Sequence, residues 1–209
     1  MKISIKEAFD FTGKKLIENI FFYMGVSVMV VLAPIVLSIF LAFLAIVFGS
    51  VAENLGTLLI FLTPVIAFIF SSFLLVGVTE IALSDKEGSK LSYEKFSEKR
   101  SSTVNFAVGT LLYGIISTIG LILFVIPGIY LAIRFSFFDF ALVEEESGPI
   151  SALKRSWNLT KGYGWSLLLF MAILLPIAFF LMTGLAPLGL LICTPFMYLT
   201  RADVYDQIS

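Results

Sequence analysis

The chain has 209 residues, of which 59% are apolar, 15% aromatic and only 14% charged, with fourteen Lys and Arg against fifteen Asp and Glu for a formal charge of −1. Soluble domains carry about 25% charged residues, so this balance excludes a water-borne globular protein, and the lack of a basic excess excludes a nucleic-acid partner. There is no histidine and a single cysteine, which removes imidazole acid–base chemistry, His metal ligands, Ser-His triads and any intrachain disulfide.

Thirteen of the fourteen cations fall in segments that alternate with long apolar runs, namely Lys2 to Lys15, Lys86 to Arg100, Lys154 to Lys161 and Arg201. The connections near Glu53, Pro127 and Gly184 carry none. Cytoplasmic loops retain Lys and Arg during insertion. The pattern therefore predicts an all-α polytopic bundle of six transmembrane helices, arranged as three hairpins with amphipathic interfacial helices and both termini cytoplasmic. One integral membrane domain covers residues 1–209: an interfacial helix over 1–19, hairpin one over 20–83 and a cytoplasmic loop over 84–102. Hairpin two over 103–146, an interfacial helix over 147–162 and hairpin three over 163–206 complete it.

In chain order, Ser4-x-x-Glu7 reads as a capping box, with Ile5, Ala8, Phe9 and Leu16 on one face and Lys2, Lys6, Asp10 and Lys14 opposite. Such a helix lies in the headgroup plane and attracts anionic lipid. The first apolar run, Ile20 to Phe48, is 29 residues long, well beyond a signal-peptide core, and is expected to be retained. At 1.5 Å per residue it extends roughly 43 Å, more than the ~30 Å hydrocarbon core, so it tilts, projects or kinks at Pro34. The second span is placed at Thr57 to Leu83. Around Ser92 to Phe96 the cytoplasmic loop fits an amphipathic lead-in only loosely.

The third span, Thr103 to Ile126, repeats Thr110, Gly114 and Thr118 every fourth residue, with Gly109, Ser117 and Gly120 beside them. Small residues let helices approach closely in lipid, here within the bundle or in a homo-oligomer. The fourth span is placed at Gly128 to about Val143. Pro149 starts a helix in which Ile150, Leu153 and Trp157 oppose Lys154, Arg155, Asn158 and Lys161, and Gly162 and Gly164 permit the bend into the fifth span. The last two spans run from Tyr163 to Thr183 and from Pro187 to about Asp206. Trp157, Trp165, Tyr163 and Tyr23 fit an aromatic belt, and Cys193 is read as a small core residue. Pro64, Pro127 and Pro187, 63 and 60 residues apart, suggest a threefold repeat in which a proline begins each even-numbered span.

Arg134, in the fourth span, is the most demanding single residue. Seven residues after Pro127, it sits roughly 10 Å along its helix, where a cation is costly unless it faces the bundle interior and meets an acid, carbonyls or a ligand phosphate. Asp139 is five residues on, the wrong interval for an intrahelical pair, which leaves Glu80, Tyr113 or a lipid phosphate as partners. The Glu144 to Glu146 run reads as a solvated helix end without metal-ligand spacing. No Walker loop or G-x-S-x-G elbow is present. No catalytic residue, metal site or cofactor is expected.

The segment Ile126-Pro127-Gly128-Ile129-Tyr130-Leu131-Ala132-Ile133-Arg134, with Glu144 and then Ser156-Trp157-Asn158-Leu159-Thr160-Lys161-Gly162, resembles the membrane domain of membrane-bound glycerophosphoryl diester phosphodiesterases and related six-span bacterial families. The matching positions are Pro127, Gly128, Arg134, Glu144, Ser156, Trp157, Thr160 and Gly162. The resemblance implies a six-helix module in a prokaryotic cytoplasmic membrane. It does not imply phosphodiesterase activity, which in that family belongs to a separate soluble barrel that this chain has no room for. The expected function is a non-catalytic membrane module, a scaffold that recruits a protein partner on its cytoplasmic face. The alternative is a lipid- or small-anion-binding or transport protein with Arg134 in the bundle interior and Lys154, Arg155 and Lys161 towards anionic headgroups.

Overall fold

A computed structural model describes residues 3–50, 52–184 and 188–209, with the side chains of 53 and 188 left aside. Lys2 and Pro187 of the sequence reading lie outside the described residues. Ten α-helices, one short 3-10 helix (Arg100–Ser102) and no strand occur among those described, the α-helices being α1 (Ile5–Glu18), α2 (Ile20–Gly49), α3 (Glu53–Lys86), α4 (Lys95–Glu98), α5 (Thr103–Leu123), α6 (Val125–Arg134), α7 (Phe138–Glu145), α8 (Pro149–Leu159), α9 (Gly164–Gly184) and α10 (Leu188–Ile208). Five stretches are long and apolar enough to cross a membrane: Ile20–Gly49, Asn54–Lys86, Arg100–Leu123, Val125–Glu145 and Gly164–Gly184. The chain is thus an all-helical membrane protein. α10 is not among the five; Arg201, Asp203 and Asp206 occupy its second half.

The long helices form neighbouring antiparallel pairs, α2 with α3 and α5 with α6, and α10 packs on α1, α2, α3 and α9. At the tip of the first pair a Cβ on Gly56 would sit 2.6 Å from the Gly49 Cα and 2.7 Å from Ala45 O, so Gly56 is needed for the backbones to meet. Along the remainder of α2 and α3, Leu32, Ile39, Phe43, Leu58 and Phe61 face outward. Such an apolar surface is tolerated because lipid is as apolar as a protein core. The packed core lies toward the charged end, where Tyr23, Leu74, Ile81, Phe140, Leu199 and Tyr205 are buried together.

α1 follows its sequence pattern: Ala8 and Thr12 are buried, and Ile5, Phe9 and Leu16 pack on the core while Lys6, Asp10 and Lys14 stay exposed. Only half of the capping box forms. Ser4 Oγ accepts from Glu7 N at 3.4 Å, but Ser4 N donates to Gln207 Oε1 at 2.8 Å, tying the two chain ends together.

Several expectations are corrected. Pro64 lies deep inside α3, eleven residues from its start, so it does not begin a helix; only Pro127, third in α6, has the first-turn position among the described prolines of the repeat. The loop lead-in shrinks to the single turn α4. On α5 the close approaches fall on Gly109, against the Phe138 ring, and on Gly120, against the Gly128 Cα at 3.0 Å. Gly114 meets nothing within 4 Å and Thr118 is exposed. The small-residue stripe is therefore turned by about one residue from Thr110, Gly114 and Thr118. On α8 the buried face is Ala152, Leu153, Ser156 and Leu159, whereas Ile150 is 61% exposed.

The largest departure concerns the fourth span. The expected helix from Gly128 to Val143 is two helices, α6 and α7, separated by Phe135, Ser136 and Phe137.

Candidate functional site at the broken fourth helix

Burial in lipid demands that backbone groups freed at the break find other partners, and the groups from Ile133 O to Phe140 N show how most of them do. Ile133 O, which would accept from Phe137 N in a continuous helix, instead accepts from Ser136 N at 3.3 Å and Ser136 Oγ at 2.8 Å. Phe137 N turns to Ser156 Oγ at 3.2 Å. The Ser156 hydroxyl donates to Arg134 O at 2.9 Å, and Thr160 Oγ1, 2.7 Å from Ser156 O, lies 3.1 Å from the same Arg134 carbonyl. Phe140 N donates to Asp139 Oδ1 at 3.0 Å, leaving Ser136 O to accept from Arg201 Nη2. Two hydroxyls, one in α8 and one at its C-terminal end, and one guanidinium of α10 thus replace the missing turn.

These contacts require α8 to fold back along α7, with Ser156 beside Phe137 and Thr160 beside Arg134. The motif residues of the sequence reading then acquire distinct physical roles. Pro127 is in the first turn of α6. At Gly128 a Cβ would sit 2.4 Å from Leu121 N, so only glycine fits the α5–α6 corner. Glu144 accepts from Tyr205 OH at 2.5 Å. Gly162 has φ +92°, a conformation that L side chains rarely adopt, where the chain leaves α8 for α9.

Trp157 lies under Arg134: the guanidinium carbon is 4.4 Å from the indole centroid and 5.8 Å from the ring of Tyr130. Arg134 is only 3% exposed, and its Nε has no hydrogen-bond partner. Neither of the expected protein partners, Glu80 and Tyr113, reaches it, nor does Asp139. Glu80 lies 3.9 Å from Lys95, Asp139 holds Arg201 at 2.9 Å, and Tyr113 OH donates to Ala132 O at 3.4 Å.

Elsewhere the ion pairs close on themselves. Lys15 meets Asp85 at 2.6 Å, and Lys86 meets Asp203 at 2.5 Å and Asp206 at 3.4 Å. Lys99 meets Glu146 at 2.6 Å and Arg155 meets Glu145 at 2.9 Å, so the acidic run is engaged residue by residue. Among the described residues the cations outside any ion pair are Lys6, Lys90, Arg100, Arg134, Lys154 and Lys161, and of these only Arg134 is buried. A desolvated cation–π contact contributes about 2 kcal/mol. Burying an ion costs several, so the aromatic shelf leaves a deficit that an anion would remove.

Beside this cluster a groove of about 530 Å³ runs between α5 and α8. Leu112, Ile116, Phe135, Ile150 and Leu153 make it apolar, and Lys154, Asn158 and Trp157 give it a polar edge. Of the sequence-derived ligand candidates, Arg134 and Lys154 are thus brought to one region, Arg155 is committed to Glu145, and Lys161 is exposed beyond α8.

The sequence reading missed the other side of the break, where Asp139 and Arg201 form a buried pair between α7 and α10. Arg201 stands among the rings of Phe137, Phe140 and Tyr198, at 5.8, 5.1 and 5.7 Å. A signal existed: Tyr198 and Tyr205 lie three before and four after Arg201, on its own helix face.

Residues 97–205 match the family model described as a domain of unknown function, DUF7847. No curated protein and no solved structure is a significant match.

Proposed function

We propose that this chain, which belongs to the DUF7847 family, is a six-span membrane module that binds an anionic lipid headgroup or a small anion at Arg134. The observation that carries the reading is the buried guanidinium of Arg134, which has an aromatic shelf but no acid while the other buried or half-buried cations have one. Phosphate and carboxylate oxygens match the planar fork of a guanidinium. The adjoining groove supports a lipid as the source: acyl chain against Leu112 and Ile116, headgroup toward Lys154 and Asn158. Phosphate charge would then offset both Arg134 and the exposed, unpaired Lys154.

In this reading α10 is the sixth span, short in apolar residues because its second half carries the charged network. The Lys- and Arg-bearing end, with both termini and the amphipathic helices α1 and α8, faces the cytoplasm. The likeness to the phosphodiesterase membrane domains belongs to the same proposal and supports a prokaryotic cytoplasmic membrane as the location. Scaffolding for a protein partner, the other expectation from the sequence, rests on no contact surface as specific as the Arg134 cluster.

Native mass spectrometry of the protein released gently from its own membrane tests the reading. The wild type should retain one anionic lipid or small anion, identified by its mass, and Arg134→Ala should lose it. A bare wild type, or an adduct indifferent to the substitution, overturns anion binding and returns Arg134 to a structural role.

A further inference from the structure

On the face of the break away from Trp157, a cavity of about 290 Å³ lies among α3, α5, α7, α9 and α10. Its polar lining is Thr110, Tyr113, Ser136, Asp139, Tyr198 and Arg201; Leu75, Phe106, Met171 and Met197 supply apolar walls. The volume is at the lower end of the roughly 300–1,000 Å³ typical of small-molecule sites. It suits a compact solute and is too small for a two-chain lipid.

The hydrogen-bonding inventory of this lining is lopsided. Arg201 uses one nitrogen, Nη2, for Asp139 at 2.9 Å and for Ser136 O. Its Nε and Nη1 donate to nothing among the described residues. Thr110 Oγ1 is buried without a partner. Tyr198 OH makes no hydrogen bond among the described residues, and Tyr113 OH makes a long bond, 3.4 Å, to Ala132 O. The acceptors are already engaged: Asp139 serves Arg201 and Phe140 N, and Ser136 O serves Arg201. Of these donors Thr110 Oγ1 is the one buried without a partner, which costs free energy, and the open edge of Arg201 and the Tyr198 hydroxyl stand beside it in the same lining, so the group that completes this site is one that brings acceptors.

We infer that this cavity is a binding site for a small monocarboxylate, held by the unused edge of Arg201 with the hydroxyls of Thr110 and Tyr198. A carboxylate is planar and accepts two parallel N–H bonds from a guanidinium. A single negative charge is favoured over a phosphate dianion because Asp139 already stands at Arg201, and like charges at such range in a low dielectric repel strongly. The Met171, Met197 and Phe106 walls accommodate a short aliphatic or aromatic body. The break itself creates the site, because a continuous helix would direct Ser136 O into its own ladder and leave Arg201 no carbonyl to anchor on. Discontinuous helices whose freed backbone helps bind a solute in mid-bundle are a recurring device of membrane transporters. This site is separate from the Arg134 cluster and does not depend on it.

The test uses the full chain in detergent, titrated calorimetrically with sodium butyrate and sodium benzoate, with sodium phosphate and sodium chloride at matched ionic strength as comparators. Saturable binding of a monocarboxylate, absent with phosphate and chloride, is the expected result. Thr110→Val and Tyr198→Phe each remove one donor and keep the shape, and each should weaken that binding by about tenfold. Their unfolding midpoints without ligand show that they fold. A wild type that binds neither monocarboxylate saturably, or binding that both substitutions leave intact, overturns the assignment.

Discussion

Replacing Ser156 with alanine isolates the device that holds the fourth helix in two pieces. The hydroxyl has two roles, accepting from Phe137 N at 3.2 Å and donating to Arg134 O at 2.9 Å. Phe137 is fully buried, so its amide would be left without an acceptor, a cost of about 1–3 kcal/mol. Arg134 O keeps a donor within reach in Thr160 Oγ1 at 3.1 Å, so the second loss adds less than about 1 kcal/mol. Ser156→Ala should therefore destabilise the protein by about 2–3 kcal/mol. Thr160→Val alone should cost about 1 kcal/mol. The double variant should exceed the sum of the singles, because only then is the Arg134 carbonyl stripped of both donors. Reversible unfolding in mixed micelles with rising dodecyl sulfate, followed by far-ultraviolet circular dichroism, measures all three. If Ser156→Ala falls within about 0.5 kcal/mol of wild type, or the double variant is strictly additive, α8 does not hold the break in the manner described.

Three further outcomes follow from the packing and the charges. Gly128→Ala places a methyl 2.4 Å from the Leu121 backbone and should cost more than about 3 kcal/mol, whereas Gly114→Ala, with nothing within 4 Å, should be neutral or stabilising by up to about 1 kcal/mol in the same unfolding assay; equal effects would refute the helix rotation. Asp139→Ala leaves the Arg201 cation buried without its carboxylate and should cost about 3–5 kcal/mol, much of which Asp139→Ala combined with Arg201→Met should recover; no recovery would mean that the pair is not the cause. For the six-span topology, a Cys193→Ala background carrying Glu53→Cys should react in intact cells with an impermeant thiol reagent, and one carrying Ser97→Cys should not. Labelling of both from the same side would refute it.

The sequence by itself determined the membrane class, the helical content and the extent of the strongly apolar helices, because these depend on local composition and on the 3.6-residue period that a single segment displays. α2 runs from Ile20 to Gly49, and the reading from composition placed it at Ile20 to Phe48. The face of α1 was legible for the same reason. Arg134 also stood out, since a lone cation in an apolar run is conspicuous without knowledge of its neighbours. Its surroundings were not legible. Trp157 is 23 residues away and Ser156 and Thr160 come from the helix that folds back beneath it, and the pairing of Asp139 with Arg201 spans 62 residues. The break in the fourth helix was hidden because Phe135, Ser136 and Phe137 have no intrinsic veto on helix, as proline would. It exists because hydroxyls and a guanidinium from elsewhere in the chain offer those backbone groups other partners. The tertiary structure alone decided which cations meet an acid and that buried Arg134 meets none, because that depends on the three-dimensional supply of acceptors.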